Sequence, residues 1–292
     1  MISIVIISKD EPALDETLAD ITAQVQALSE PAEIVVVDAS GDRLDFIRQR
    51  HEPTVRWVKF RSPVGVAVSI PHQRNAGVRA SNGEIIVFTD AGCRPEAEWL
   101  SRLLGPLQEG EQVTAGLALT ASGDVGLYGH ATELARASRY LTECPTINLA
   151  FRREALDEVG GFDESFAYGS DVDFSWRLID AGYRIRSVPD AVVLRHDWGT
   201  WRRQLRRSYL YGRARARLYR KHHARRRRIL QTDPIVVIYP MFLLGLPLTV
   251  IFPFYPALLL IPAWRNRSLG AARVVADHLV FGAGVLAELI RS

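Results

Sequence analysis

At 292 residues the chain is long enough for one large α/β domain with an appendage, and its 48% apolar and 24% charged residues exclude, as an average, a disordered chain or a polytopic membrane protein. The net charge of +3 conceals an asymmetry: Trp201 to Gln231 holds thirteen Lys and Arg and no acid, so the remaining 23 basic residues face all 33 Asp and Glu. Cys93 and Cys144 are too few for a disulfide framework or a structural zinc site, which implies a reducing environment.

The chain opens on Ile2 to Ile7, a β-branched run that reads as a strand buried on both faces; it is too short, and lacks the basic flank, for a signal peptide. Leu14, Leu18, Ile21, Val25 and Leu28 then recur at helical spacing, with Pro12 suited to the first turn. Ile34 to Val37 is a second buried strand ending at Asp38, and Leu44, Phe46 and Ile47 predict a short helix. A strand over Val55 to Val58, a helix over His72 to Ala80 and a strand over Ile85 to Phe88 ending at Thr89-Asp90 continue the alternation, which predicts a mostly parallel sheet covered by helices. Glu96 to Leu107 reads as a helix, Val113 to Leu119 as a strand, and Ala121 to Glu143 as a loop over the site. Thr146 to Phe151 is a strand, followed by a short helix from Arg153, a turn at Gly160-Gly161, a helix carrying Phe174, Leu178 and Ile179 that stops at Gly182, and a last short strand over Val192 to Leu194.

Asp38 and Asp90 both fall just past predicted strands, where open α/β sheets place their ligands. Neither a GxGxxG nor a GxxxxGK[ST] follows the first strand, which removes the main support for a dehydrogenase or a P-loop protein.

Five segments in order carry a more specific signal: Ile4-Val5-Ile6-Ile7 with its acidic turn, Ile34-Val35-Val36-Val37-Asp38, Arg74-Asn75-Ala76-Gly77, Gly83-Glu84-Ile85-Ile86-Val87-Phe88-Thr89-Asp90, and Gly160-Gly161-Phe162-Asp163-Glu164 running on to Asp171-Val172-Asp173. Over Ile2 to His196 this order resembles the family 2 glycosyltransferases, inverting enzymes that move a sugar from a nucleoside diphosphate on a GT-A fold. The resemblance implies that Asp38 meets the nucleobase edge, with Glu11 a second candidate for the same pocket. It also implies that Arg74 and Asn75 border the donor diphosphate and sugar, and that Asp171 is the base that removes the acceptor hydroxyl proton. Asp173, two residues on, points about 200° away if the segment is helical and reads as a helix N-terminal charge or a support.

Asp90 matches the first position of the family's DxD motif, whose carboxylates help hold Mg²⁺ or Mn²⁺ on the leaving diphosphate. Here the triplet reads Asp90-Ala91-Gly92, without the second carboxylate, which leaves two alternatives: a sparse cation site on Asp90 and His196 completed by the diphosphate, or a metal-independent enzyme in which His196 is a structural histidine at a strand end. Asn148 resembles a residue bordering the sugar pocket, and a hydrogen bond within the fold accounts for it equally well. Trp198 and Trp201 suit stacking on a sugar ring or a place at a bilayer interface.

Ile235 to Trp264 contains no charged residue, but Pro240, Pro247, Pro253, Pro256 and Pro262 break it, so a re-entrant hairpin is expected rather than one spanning helix. Arginines flank it on both sides, which suits two cytoplasmic ends. Val274 to Ile290, interrupted by Asp277, His278 and Glu288, reads as an amphipathic or packing helix.

The expected organisation is a catalytic domain over 1–198, a basic amphipathic helical segment over 199–232 that meets anionic lipid headgroups rather than nucleic acid, and an apolar membrane-associated hairpin with a terminal helix over 233–292. The expected activity is transfer of a sugar from a nucleotide-sugar, a UDP-sugar favoured, to a lipid-linked or cell-envelope glycan at the cytoplasmic face of the cell membrane. A catalytically degenerate relative that binds a nucleotide or glycan as an assembly factor is the alternative.

Overall fold

The computed structural model describes residues 1–120, 136–195, 199–265 and 270–291, and the chain divides into two compact units, Met1–Asp197 and Trp198–Ser292. In the first unit the described strands are β1 (Ile2–Ser8), β2 (Ala32–Asp38), β3 (Val55–Lys59), β4 (Ile85–Asp90), β5 (Cys93–Pro95), β6 (Val113–Thr120), β7 (Tyr140–Leu141), β8 (Asn148–Arg152) and β9 (Ile185–Arg195). They form one sheet in the order β3-β2-β1-β4-β8-β6-β9-β5, with β7 paired to β9. The β3-β2-β1-β4 half is parallel, as the alternation of strands and helices predicts. Beyond β4 the sheet is mixed, because β8 enters antiparallel to both β4 and β6.

The helices α1 (Leu14–Gln26), α2 (Asp45–His51), α3 (Ile70–Ala80), α4 (Trp99–Gln108), α5 (Arg153–Val159) and α6 (Ser170–Asp180) cover the two faces. The period-two geometry of a strand divides β1 between two cores. Ile2, Ile4 and Ile6 pack with Leu14, Leu18 and Ile21 of α1 and with Trp99, Leu103 and Leu107 of α4. Val5 faces the other way, toward Val78 of α3, Phe162 and Phe174. Full burial of a side chain such as Leu18 stabilises the unit by roughly 1.5–3 kcal/mol.

Several elements differ from expectation for identifiable reasons. Pro12 precedes α1 instead of entering its first turn. Phe46 is 53% exposed, while Leu44 and Ile47 supply the buried face of α2. Helix α4 starts at Trp99, because residues 93 to 96 first run along β9: Cys93 to Pro95 form β5 and the Glu96 amide donates to the Val192 carbonyl at 3.0 Å. Strand β9 is far longer than its Val192 to Leu194 core, its pattern disguised by an irregularity that shifts its register against β6. Of the expected loop over Ala121 to Glu143, residues 121–135 lie outside the described residues, and Tyr140-Leu141 is strand β7.

In the second unit the basic segment and the apolar tail pack together. Helices α7 (Trp201–Lys221), α8 (Ile235–Leu244), α9 (Leu260–Arg265) and α10 (Ala271–Ile290) are joined in part by 3-10 turns over His223–Arg228, Leu246–Val250 and Tyr255–Leu259. Gly212 of α7 and Gly284 of α10 let the two backbones meet, since a Cβ on either would strike the carbonyl of Phe281 or Tyr209. Part of the basic charge is neutralised internally, with Arg213 bonded to Glu288 at 2.7 Å and Arg215 to Asp233 at 2.9 Å. Asp277 of α10 is buried and accepts hydrogen bonds from Gln204 (2.6 Å) and Ser208 (2.9 Å) of α7. No described helix is long and apolar enough to cross a membrane.

Candidate active site

The parallel half of the sheet aims its carboxyl ends at one edge, and two of the sequence-predicted carboxylates stand there on either side of β1. Asp38, the last residue of β2, lies opposite Ser8, and Asp90, the last residue of β4, lies opposite Ile7. Asp38 is 1% exposed. One of its oxygens accepts the Ser40 amide at 2.9 Å, while Oδ2 is buried with no hydrogen-bond partner among the described residues. Leaving such an acceptor unmatched is costly, and an N–H from a ligand would satisfy it. The loop beyond is pinned by the Asp10 amide, which donates to the Ser40 hydroxyl at 2.7 Å, and by an ion pair of 2.6 Å between Asp10 and Arg43.

Asp90 is half-buried and has three charged neighbours, Arg74, Arg195 and Asp171. Burial pushes its pKa above the usual carboxylate range, the two guanidinium groups oppose the rise, and Asp171 adds to it. Arg74 reaches the site from α3, 7% exposed; its Nη1 donates to the Ser170 hydroxyl at 3.3 Å and its guanidinium lies 5.5 Å from the Phe162 ring centroid. Its Nε is buried without a hydrogen-bond partner among the described residues. Ser170 and Asp171 open α6 behind Gly169, whose φ of +81° is a left-handed turn that glycine adopts without strain. Asp171 is half-buried, its Oδ1 accepting the Val172 amide at 3.0 Å.

Asp173 goes the other way. It is fully buried and paired with Arg177 at 2.8 Å, and Arg177 also donates to the carbonyls of Val159 and Gly161. Asp173 is thus engaged within the fold, in line with its reading as a support.

Glu11 stands against Gly92. A Cβ placed on Gly92, whose φ is +82°, would come within 3.2 Å of the Glu11 Cγ and Cδ and 3.5 Å of its Oε2. The Glu11 carboxylate therefore fills the volume that a side chain at the third position of the Asp90-Ala91-Gly92 triplet would take. Among the described residues no group of three or more His, Cys, Asp or Glu is arranged to hold an ion. Asp90 offers a hard oxygen donor to a cation whose remaining ligands come from a diphosphate.

Asn148 and Asn75 both bond within the fold, which for Asn148 is one of its two expected roles. Asn148 is 1% exposed; it accepts the Trp99 indole N–H at 2.9 Å and donates to the Leu117 and Ala191 carbonyls at 2.7 and 2.8 Å, so its amide is committed to joining β8, β6, β9 and α4. Asn75 likewise spends its amide on the chain: it donates to the Phe162 carbonyl and to Glu164, both at 2.9 Å, and accepts the Phe162 amide at 2.9 Å. It holds the Gly160-to-Glu164 turn and leaves Arg74 to face the crevice. His196 and Trp198 lie outside the described residues.

Sequence reasoning missed Arg195 and Ser170. Arg195 ends β9 opposite Cys93, three residues after Asp90, and a basic residue at a strand end next to a strand-end carboxylate was the available signal. Both cysteines are buried with thiol pKa values pushed up to about 12 by desolvation, which disqualifies them as nucleophiles.

Comparison with known proteins agrees with this arrangement. The family model described as glycosyl transferase family 2 matches residues 3–168, and that of glycosyl transferase family group 2 matches residues 119–269. The chain is 35% identical over 166 residues to the pre-mycofactocin glycosyltransferase of Mycobacterium tuberculosis, covering 51% of this chain and 34% of that protein. It is 25% identical over 228 residues to the O-antigen biosynthesis protein RfbC of Myxococcus xanthus, covering 67% of this chain and 17% of that one. The chain thus spans about a third or less of the length of these relatives. A mannosyltransferase from Pyrobaculum calidifontis, solved with GDP-Man and Mn²⁺, superposes with a TM-score of 0.66 at 20% identity, covering 100% of this chain and 87% of that structure, a likeness of fold. The α/β fold is the GT-A arrangement that the motifs imply. With the family model matched over more than half its length, the chain belongs to glycosyl transferase family 2.

Proposed function

We propose that the first unit transfers a sugar, with inversion, from a nucleoside-diphosphate sugar to a lipid-linked or growing cell-envelope glycan at the cytoplasmic face of the cell membrane. The observation that carries the reading is the grouping of Asp90, Asp171, Arg74 and Arg195 at the sheet edge where Asp38 offers a buried, unmatched carboxylate oxygen. In this reading Asp38 Oδ2 accepts an N–H of the nucleobase. Asp171 takes the proton of the acceptor hydroxyl as that oxygen bonds to the anomeric carbon, and the bond from that carbon to the diphosphate breaks with its electron pair leaving on the phosphate. Arg74 and Arg195 face the place where that charge develops, and a guanidinium fork suits phosphate oxygens.

A divalent cation, held by Asp90 with His196 and completed by the diphosphate oxygens, would supply further charge neutralisation on the leaving group. The mannosyltransferase solved with Mn²⁺ supports that reading of the cofactor. A UDP-sugar is the favoured donor, and the relative named for O-antigen biosynthesis supports an envelope glycan as acceptor.

A thermal-shift screen of UDP-, GDP- and dTDP-sugars, each with and without Mn²⁺, tests the proposal, since a ligand of the native state raises Tm. One nucleotide class should raise Tm, and Asp38→Ala should abolish the rise. No response to any nucleotide-sugar, or an unchanged response in Asp38→Ala, would reject it.

A further inference from the structure

We infer that the hairpin from Ile235 to Trp264 inserts into a single leaflet of an anionic bilayer, with the arginine turn before it held at the headgroups. The inference is independent of the sugar-transfer reading, because it uses only the second unit. Over these thirty positions there is no charged residue, and large apolar side chains face outward: Val250 is 87% exposed, Ile251 71%, Phe252 62% and Phe254 86%. Soluble proteins rarely leave a contiguous apolar surface of this kind uncovered.

The backbone of the apex is also suited to hydrocarbon, where an unmatched N–H has no water to meet. The amides of Leu248, Ile251, Phe252, Tyr255 and Ala257 donate to carbonyls three or four residues back at 2.7–3.0 Å, the Thr249 hydroxyl donates to the Leu246 carbonyl at 2.7 Å, and Pro247, Pro253 and Pro256 carry no N–H. The hairpin is pre-formed: the Tyr255 hydroxyl donates to the Phe242 carbonyl at 3.0 Å and the two rings stack with centroids 5.1 Å apart.

Length fixes the depth. Helix α8 has ten residues, a rise of about 15 Å at 1.5 Å per residue, roughly half of a bilayer core of about 30 Å. Charge fixes the lipid. Arg226, Arg227 and Arg228 are exposed in the 3-10 turn that precedes the apolar run, and a cluster of arginines beside an apolar insertion is attracted to anionic headgroups.

The test is flotation of the full chain with vesicles of phosphatidylcholine alone or mixed with phosphatidylglycerol. The native chain should float with the mixed vesicles and resist extraction by salt. Phe252→Asp with Phe254→Asp, both exposed and so leaving the fold intact by circular dichroism, should reduce flotation at least about tenfold. Replacing Arg226, Arg227 and Arg228 by Gln should remove the preference for phosphatidylglycerol. A cysteine introduced as Phe252→Cys should be shielded from a membrane-impermeant thiol reagent added outside or trapped inside the vesicles. Flotation unaffected by the two aspartates, labelling by the trapped reagent, or a vesicle-free dimer that those aspartates dissolve while no flotation occurs would each overturn the inference.

Discussion

Replacing Asn148 by Ala separates a structural asparagine from a sugar-binding one. The native amide makes three bonds of 2.7–2.9 Å at 1% exposure, so the truncation leaves the Trp99 indole N–H and the Leu117 and Ala191 carbonyls short of a partner in a closed core. At roughly 1–3 kcal/mol for each stranded buried group, with the carbonyls at the low end and the indole higher, the loss is about 3–6 kcal/mol. That is a large fraction of the ~5–15 kcal/mol that holds a typical domain together. With a urea slope of about 2 kcal/mol/M, the unfolding midpoint should fall by roughly 1.5–3 M. The assay is urea unfolding followed by circular dichroism, with donor affinity measured on the folded fraction. A midpoint within about 0.3 M of the native chain together with weakened donor binding would refute the reasoning and return Asn148 to the sugar pocket.

Three other substitutions probe the same unit. The folded-state pKa of Asp90 is raised above the 3.8 of a free carboxyl, so its ionised form costs stability once pH exceeds the unfolded value, and the full cost is present above the folded one. Asp90→Asn should therefore be more stable than the native chain at pH 7, with the gap closing as pH falls toward 3.8; urea midpoints that differ equally at both pH values would contradict this. Arg177→Met removes the guanidinium that pairs with the fully buried Asp173 at 2.8 Å and should cost up to about 3–5 kcal/mol by chemical denaturation, a loss that Asp173→Asn in the same chain partly restores. Gly77→Ala places a Cβ against the Val5 side chain and 3.2 Å from Val37 Cγ2, and should lower stability by about 1–3 kcal/mol, read as a fall in Tm.

Strands β1, β2 and β4 are legible because they are buried on both faces and so read as near-continuous apolar runs: Ile2 to Ile7, Ile34 to Val37 and Ile85 to Phe88 each appear as a strand. The antiparallel half was harder. Cys93 to Pro95 is too short to show any period, and β9 contains Pro189-Asp190, which reads as a turn although the strand continues past it. At the candidate site, Asp38, Asp90 and Asp171 stand out in the sequence because strand ends and motif order mark positions. What a side chain does with its hydrogen bonds is not encoded in spacing: resemblance puts Asn75 beside the donor and leaves Asn148 between the sugar pocket and the fold, while their amides bond to Phe162, Glu164, Leu117, Ala191 and Trp99. Arg195 escaped for a related reason: its proximity to Asp90 depends on β9 running beside β5.

The account rests on Asp171 acting on the acceptor while Asp38 and its neighbours hold the nucleotide. Asp171→Asn keeps the shape of the first turn of α6 and removes only the proton-accepting carboxylate. Turnover of the donor identified by the thermal-shift screen should fall by about 10²–10⁴-fold, and nucleotide affinity should stay within about twofold of the native chain. Turnover that persists in Asp171→Asn, or affinity that falls together with it, would contradict the assignment.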